Sequence, residues 1–475
     1  MKKKIGALLL AGSLMVSALT GCGGGGSTQA GKDDLSEQAH LKWVIFGEQP
    51  ESYPEVIEQV NEYLLEKINA TLELEFVQTG DFVQKVNLMM ASNDDTWDLM
   101  FTSNWKNDYE TNVQKGAYYD LTDMLQEETP ELYDYFDEYI WEAMTVGGSI
   151  YAIPMNQVMY QQRGMWFKKD IVEKYDLDVE NVKSFDDLSA IYQVVKENEP
   201  DMIPLSSITI GQFMPLKTEV VAEFEIVDGK VTDRLDEKYP SYEVARDWYL
   251  KDYIPREVNF EETTYIKTGK LFSRYNRYLP GVESKFKISN SFEIVAVPTT
   301  EMMLRRADIQ GAATAINRSS KYPLRALKLL ELMTTDQYLF NLMAYGIEGV
   351  NYTKDGNRIT PTENSYYVAE YIIGNQFLAY LMPGYEDTVW EETDRLNHEA
   401  PVDENIGFQF DRETVETELA NLNSATEYGT SLTKGTAEDV AATFEKHKEK
   451  RALAGDTVVK QEIERQYEEW KAQQE

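Results

Sequence analysis

The apolar pattern of residues 41–102 changes period at every element, and this restricts the fold more than any other feature of the chain. Leu41 to Phe46 is a short, nearly continuous apolar run suited to a buried strand. Gly47 to Pro54 interrupts it, and Pro54 fits the first turn of a following helix. Ile57, Val60, Leu64 and Ile68 then recur at spacings of three and four, which predicts one apolar helix face. Leu72, Leu74 and Phe76 alternate with Glu73 and Glu75, the period of a strand. A second helical stretch, Phe82 to Met90, leads to a buried-strand run from Asp98 to Thr102. Strand–helix–strand–helix–strand implies a parallel sheet covered by helices. Such sheets hold ligands in the crevice beyond the carboxyl ends of their strands.

The same α/β class continues to the end. Phe292–Val297 and Gly311–Ile316 read as strands, and Ser319–Met333 as a helix with Pro323 in its first turn. Asp228-Gly229 and Asp355-Gly356 stand between strand-like runs as hairpin turns. Val459, Ile463, Tyr467 and Trp470 line one face of a closing helix that should dock on the body. There is no repeat of 20–50 residues. No linker interrupts the alternating pattern after the first 38 residues, so two lobes sharing crossing strands are expected.

Charge narrows the partners. The 475 residues carry 82 acidic against 46 basic side chains, a net charge of −36. A field of that sign repels phosphate backbones, which argues against nucleic acid and disfavours a strongly anionic ligand. A surface kept soluble outside the cell explains the charge equally well. One cysteine allows no internal disulfide and no Cys-rich zinc site, and three histidines leave little for metal binding. No cofactor is expected.

Residues 1–22 have the parts of a secretory signal: Lys2-Lys3-Lys4, an apolar run from Ile5 to Leu19, and small residues after it. The run is too short for a mature transmembrane helix. Leu19-Thr20-Gly21-Cys22 resembles the bacterial lipobox, whose cysteine is lipidated and becomes the mature N-terminus. The expectation is a signal peptide at 1–21, a diacylglyceryl-type lipid (palmitate-class chains) on Cys22, and a flexible tether over 22–37. Lipid would then be the only membrane attachment.

Enzyme motifs are absent: no Gly-x-Ser-x-Gly elbow, no phosphate loop, no strand-coupled Gly-x-Gly-x-x-Gly. Asn351-x-Thr353-x-Asp355-Gly356 half-resembles a calcium loop, but Thr362 stands where the bidentate carboxylate belongs. Acids are so abundant that no glycosidase-like pair stands out. Aromatic density does rise above background: residues 97–166 hold four Trp, eight Tyr and two Phe, against 12% aromatic residues overall. Most such rings belong to cores. As a group they still favour a ligand with an apolar face and a hydroxylated rim, which is a sugar.

Several blocks together resemble a family: the extracellular solute-binding proteins of ABC importers, family 1, in the branch with a C-terminal domain of unknown function. They are residues 61–69, Trp97 to Trp105, Ile150 to Pro154, Tyr345-Gly346-Ile347-Glu348-Gly349-Val350-Asn351-Tyr352, Gly374 to Leu378, Gly407 to Asp411, and the stretch from Ala454 to Trp470. Two positions depart: Tyr371-Ile372-Ile373 replaces a tryptophan-containing run, and Gly455-Asp456 lacks an intervening aliphatic residue.

The resemblance implies a two-lobed α/β fold, with lobe 1 at 38–155 plus 310–346 and lobe 2 at 160–308 plus 352–475. Crossings would fall near Met155–Gln161, Asp308–Ala312 and Gly346–Tyr352. It implies a monomeric, non-enzymatic lipoprotein on the outer face of a Gram-positive cell membrane. That protein would close by a hinge on a carbohydrate, an oligosaccharide in particular, and deliver it to a permease pair driven by a separate ATPase. A surface-displayed glycoside hydrolase and a sugar-sensing co-receptor are the rivals. Candidate ligand contacts are Phe46, Glu48, Asn104 and Trp105 in lobe 1. Tyr160, Gln161, Arg163 and Glu348 would come from the crossings, with Tyr275 and Phe410 opposite. Trp105 follows the best buried strand, so its indole should face the crevice.

Overall fold

The computed structural model describes residues 33–92, 96–257 and 260–474. The leader and Cys22 lie outside the described residues. The first sheet starts from β1 (Ala39–Phe46), α1 (Tyr53–Ile68), β2 (Ala70–Val77), α2 (Phe82–Ser92) and β3 (Leu99–Thr102). β1 pairs in parallel with both β2 and β3. Strand Ala313–Ile316 adds antiparallel to β3, and Ala152–Pro154 adds beyond it, giving five strands. Pro54 sits in the first turn of α1, and Asn69 ends that helix in the left-handed conformation. Val56, Val60 and Leu64 are buried on its sheet side, the face that the spacing predicts.

A second sheet of four strands runs in the order Ile294–Pro298, Arg163–Lys168, Leu271–Arg277, Ile203–Leu205. Its core of Met165, Phe167, Tyr192, Trp248 and Phe272 is separate from that of the first sheet. The lobes are joined where Tyr160–Gln161 pairs antiparallel with Met303–Leu304. The Asp228-Gly229 turn joins strands Phe224–Val227 and Lys230–Asp233, with both turn residues at positive φ. In the second hairpin the turn falls one residue later than expected, on Gly356-Asn357, between Asp355 and Arg358.

Two boundaries differ from expectation. Residues 352–406 were assigned to lobe 2, yet Tyr352, Ile359, Tyr366, Ile373, Trp390 and Ile406 belong to the core of the first sheet. The reason lies at 346–352. The Asn351 side chain accepts from Ile347 N–H at 2.8 Å, and Val368 N–H donates to Ala344 O, so the chain turns back onto helix Gln337–Tyr345. Residues 401–403 run beside the joint at Leu304, whose N–H donates to Pro401 O and whose O accepts from Asp403 N–H. Secondly, Asp33 and Asp34 fall in the expected tether but are fixed. Arg325, fully buried, faces Asp33 Oδ2 at 3.4 Å and donates to Asn69 O at 2.7 Å and to Asp34 O.

Beyond residues 401–403, the closing helix docks as expected. Val459, Ile463 and Tyr467 pack with Phe408 and Phe410 against Phe224 and Ile226 of the small sheet at 218–233. No helix among the described residues is long and apolar enough to cross a membrane.

Candidate functional site

The parallel arrangement places the ends of β1 and β3 side by side, and Phe46 meets there the loop that follows β3. Phe46, closing β1, meets Phe101 at 5.0 Å and Phe82 at 5.6 Å between ring centroids, both edge-on. Trp105 stands 6.0 Å from Phe46 at 82°, yet 56% of its surface is exposed. Its Nε1–H donates to Gly311 O at 2.7 Å, which locks the indole against the strand entering the first sheet. The turn before it is stabilised by Ser103 Oγ, which accepts from Lys106 N–H at 2.9 Å. Lys106 extends over these rings, 5.3 Å from Phe46 and 5.5 Å from Trp105, and ends on Thr79 O at 3.0 Å.

The aromatic strip continues through Tyr371, 6.4 Å from Phe46. Tyr371 belongs to the short turn Glu370–Ile372 and also lines a cavity of about 190 Å³. Gln157, Gln376 and Trp390 line it from lobe 1, and Arg277 and Lys285 from lobe 2. Beneath it, the buried Glu370 carboxylate accepts from Tyr345 Oη at 2.7 Å and Tyr367 Oη at 2.8 Å. Burial first, then the Glu370 charge, pushes both phenols well above the ordinary tyrosine range. Both therefore stay protonated and donate. Lys285, on helix Val282–Ser289, lies 4.9 Å from the ring centres of both Tyr385 and Trp390.

The expected contacts divide. Phe46, Asn104 and Trp105 share the lobe 1 wall; Asn104 is exposed, with its N–H on Gln310 O. Asn104 and Phe410 line a second cavity of about 210 Å³, although Phe410 is mostly committed to the C-terminal core. Tyr160 is buried in the crossing, its phenol pushed up to about 12 by burial; among the described residues neither its hydroxyl nor the buried Oε1 of Gln161 beside it has a partner. Arg163 turns away from the aromatic wall and donates to Gly211 O at 2.7 Å, lining a third cavity of about 500 Å³. Tyr275 is half-buried on strand Leu271–Arg277, and Glu48 is exposed after β1.

Glu348 sits in a surface turn, exposed and paired with Lys354 at 3.4 Å. Of the aromatic excess at 97–166, Trp97, Phe101, Tyr109, Tyr118, Phe136 and Trp141 are core. Sequence reasoning missed Tyr371, Gln376, Arg277 and Lys285. Gln376 lies in a block that carries the family resemblance, which was the available signal.

Geometrically this is a crevice with rings and amides along one side and guanidinium and ammonium donors along the other. It suits a ligand with flat C–H faces and polar edges. Among the described residues no group of three or more His, Cys, Asp or Glu is placed to hold a metal ion.

Fold and crevice together define a two-lobed binding protein. Residues 47–250 match the profile of the bacterial extracellular solute-binding proteins, and residues 405–472 match the domain of unknown function DUF3502. The chain resembles the bacterial extracellular solute-binding proteins over the first of these segments. A "Carbohydrate ABC transporter substrate-binding protein" of Streptococcus pneumoniae serotype 4 is 26% identical over 96% of both chains. Among solved structures, the N-glycan transport solute-binding protein NgtS of S. pneumoniae superimposes with a TM-score of 0.81 at 25% identity, covering 92% of this chain and all of that one. Its complex with Man1GlcNAc gives 0.74 at 25% identity, covering 91% and 99%.

Proposed function

We propose that this chain captures an oligosaccharide between its lobes and delivers it to the permease pair of an ABC importer, with ATP hydrolysed by a separate subunit. It acts as a monomer on the outer face of a Gram-positive cell membrane, held there by lipid on Cys22, and makes or breaks no bond itself. The description of the pneumococcal relative and the bound glycan of NgtS support this reading. The observation that carries it is Trp105: an exposed indole, fixed by its own N–H, at the carboxyl end of a parallel strand. Indole faces cover sugar C–H faces and exclude water there. In the reading adopted, lobe 1 comprises about 38–155, 310–346 and 352–400, and lobe 2 about 160–308. Residues 405–474 form a cap on lobe 2.

Calorimetry and melting of the purified protein against a panel of oligosaccharides test this. One ligand at 100 times its dissociation constant should stabilise the fold by about 2.7 kcal/mol. Stoichiometric binding without product is the expected result, and released sugar would instead mean a hydrolase. Cys22→Ser should move the protein from the membrane to the soluble fraction, because the acyl chains supply the attachment. Unchanged fractionation would remove the anchor.

A further inference from the structure

The 190 Å³ cavity has a charge pattern opposite to that of the molecule. Acids outnumber bases 82 to 46 in the chain, yet the cavity is lined by two cations, Arg277 and Lys285, and by no carboxylate. The Lys285 ammonium makes no hydrogen bond or ion pair with the described residues; it has only the faces of Tyr385 and Trp390. The nearby carboxylate, Glu370, already holds a phenol on each oxygen. Burial draws the Lys285 ammonium below the ordinary lysine range, with Glu370 opposing. Arg277 uses one donor on Tyr160 O, and the carboxylate facing it, Asp308, is engaged by Arg305 at 2.8 and 3.4 Å. Two desolvated cations short of acceptors are costly, and hydroxyls would leave their charge uncompensated.

Resting on the capture reading above, we infer that the cleft selects an acidic sugar, whose ring-borne oxyanion is received by Lys285 and Arg277 while the ring lies along Tyr371 and Trp390. The shared chemistry is an oxyanion on a pyranose, supplied either by a carboxylate or by a phosphate or sulfate ester. Charge-assisted hydrogen bonds of this kind are about twice as strong as neutral ones.

The test uses a glycan panel in matched sets: a neutral hexose, its uronate and its phosphate and sulfate esters at the same position. Wild type, Lys285→Met and Lys285→Arg are compared by calorimetry, with melting temperatures as the folding control. In the wild type the acidic member should bind at least about tenfold more tightly than the neutral one, the worth of a hydrogen bond to a charged group. Lys285→Met, which keeps the packing on Trp390, should abolish that preference and Lys285→Arg should retain it. Which acidic member wins identifies the group. A neutral member binding as tightly, or a preference that survives in folded Lys285→Met, overturns the inference while leaving capture intact. Binding of no glycan in the panel, neutral or acidic, overturns the capture reading and this inference with it.

Discussion

The two walls of the crevice are made of unlike material, and the difference follows from the sheets behind them. In lobe 1 three parallel strands bring Phe46 and the loop carrying Trp105 to one edge, so rings accumulate there and brace one another edge-on. Lobe 2 has a mostly antiparallel sheet, with a single parallel pairing. Its contribution comes from the end of one strand, Arg277, and from the helix after it, Lys285. Rings supply contact area that tolerates small changes of pose; charged donors demand an acceptor at a fixed place. On the proposed reading, the first wall would supply affinity and the second choice.

The largest effect should come from what supports the aromatic strip rather than from the strip itself. Glu370→Ala strips two phenols of their acceptor beneath Tyr371, one of them on the buried Tyr345. Losing hydrogen bonds to a buried charge should cost about 3 kcal/mol of stability. The melting temperature should fall by several degrees and ligand affinity with it; a variant as stable as wild type would show the carboxylate to be dispensable. The same phenols predict alkaline behaviour. Their protonated forms are favoured in the folded state, so their contribution is complete below the ordinary tyrosine value, near pH 10, and is lost as pH rises above it. A melting series from pH 8 to 11 should show stability declining only at its upper end, with a shallower decline in Tyr345→Phe.

Trp105→Ala comes next and separates the walls directly. Truncating a central aromatic anchor costs about 2 kcal/mol of binding, roughly thirtyfold in affinity. Folding should be little affected, because most of the indole surface is already exposed. Unchanged affinity in a folded Trp105→Ala protein would move the stacking platform along the strip to Tyr371 or Trp390.

How far each wall could be read from sequence reflects the same contrast. β1 and β3 are short apolar runs and β2 alternates apolar with acidic residues, and their order with the helices between them implies a parallel sheet. The place of Trp105 in the loop after β3 was legible for that reason. Residues 352–406 were misassigned because little in them is periodic. Their place is set by side chains bonding to backbone: Asn341 Nδ2 to Leu378 O at 2.8 Å, and Asn375 Nδ2 to Thr334 O at 3.0 Å. Such contacts leave no trace in hydropathy. Tyr371 was hidden further because it occupies the point where the chain departs from the pattern of the family it resembles. Lys285 sits in an eight-residue helix whose lysines at 285 and 287 read as an ordinary solvated face.

The smallest expected effect checks the proposed boundary between the lobes. Had the chain crossed at Gly346–Tyr352, Glu348 would face the ligand and its charge would matter to binding. In the structure it lies in a surface turn, opposite Lys354 at 3.4 Å, with 55% of its side chain exposed. Exposed pairs of this kind contribute roughly 0–1 kcal/mol, because water and salt screen them. Glu348→Gln keeps the shape and removes the charge, so affinity should stay within about twofold and the melting temperature within about one degree. Raising the salt concentration should shrink even that change. A loss of binding on the scale of Trp105→Ala would put Glu348 against the ligand and require the lobes to rearrange around 346–352 on closure.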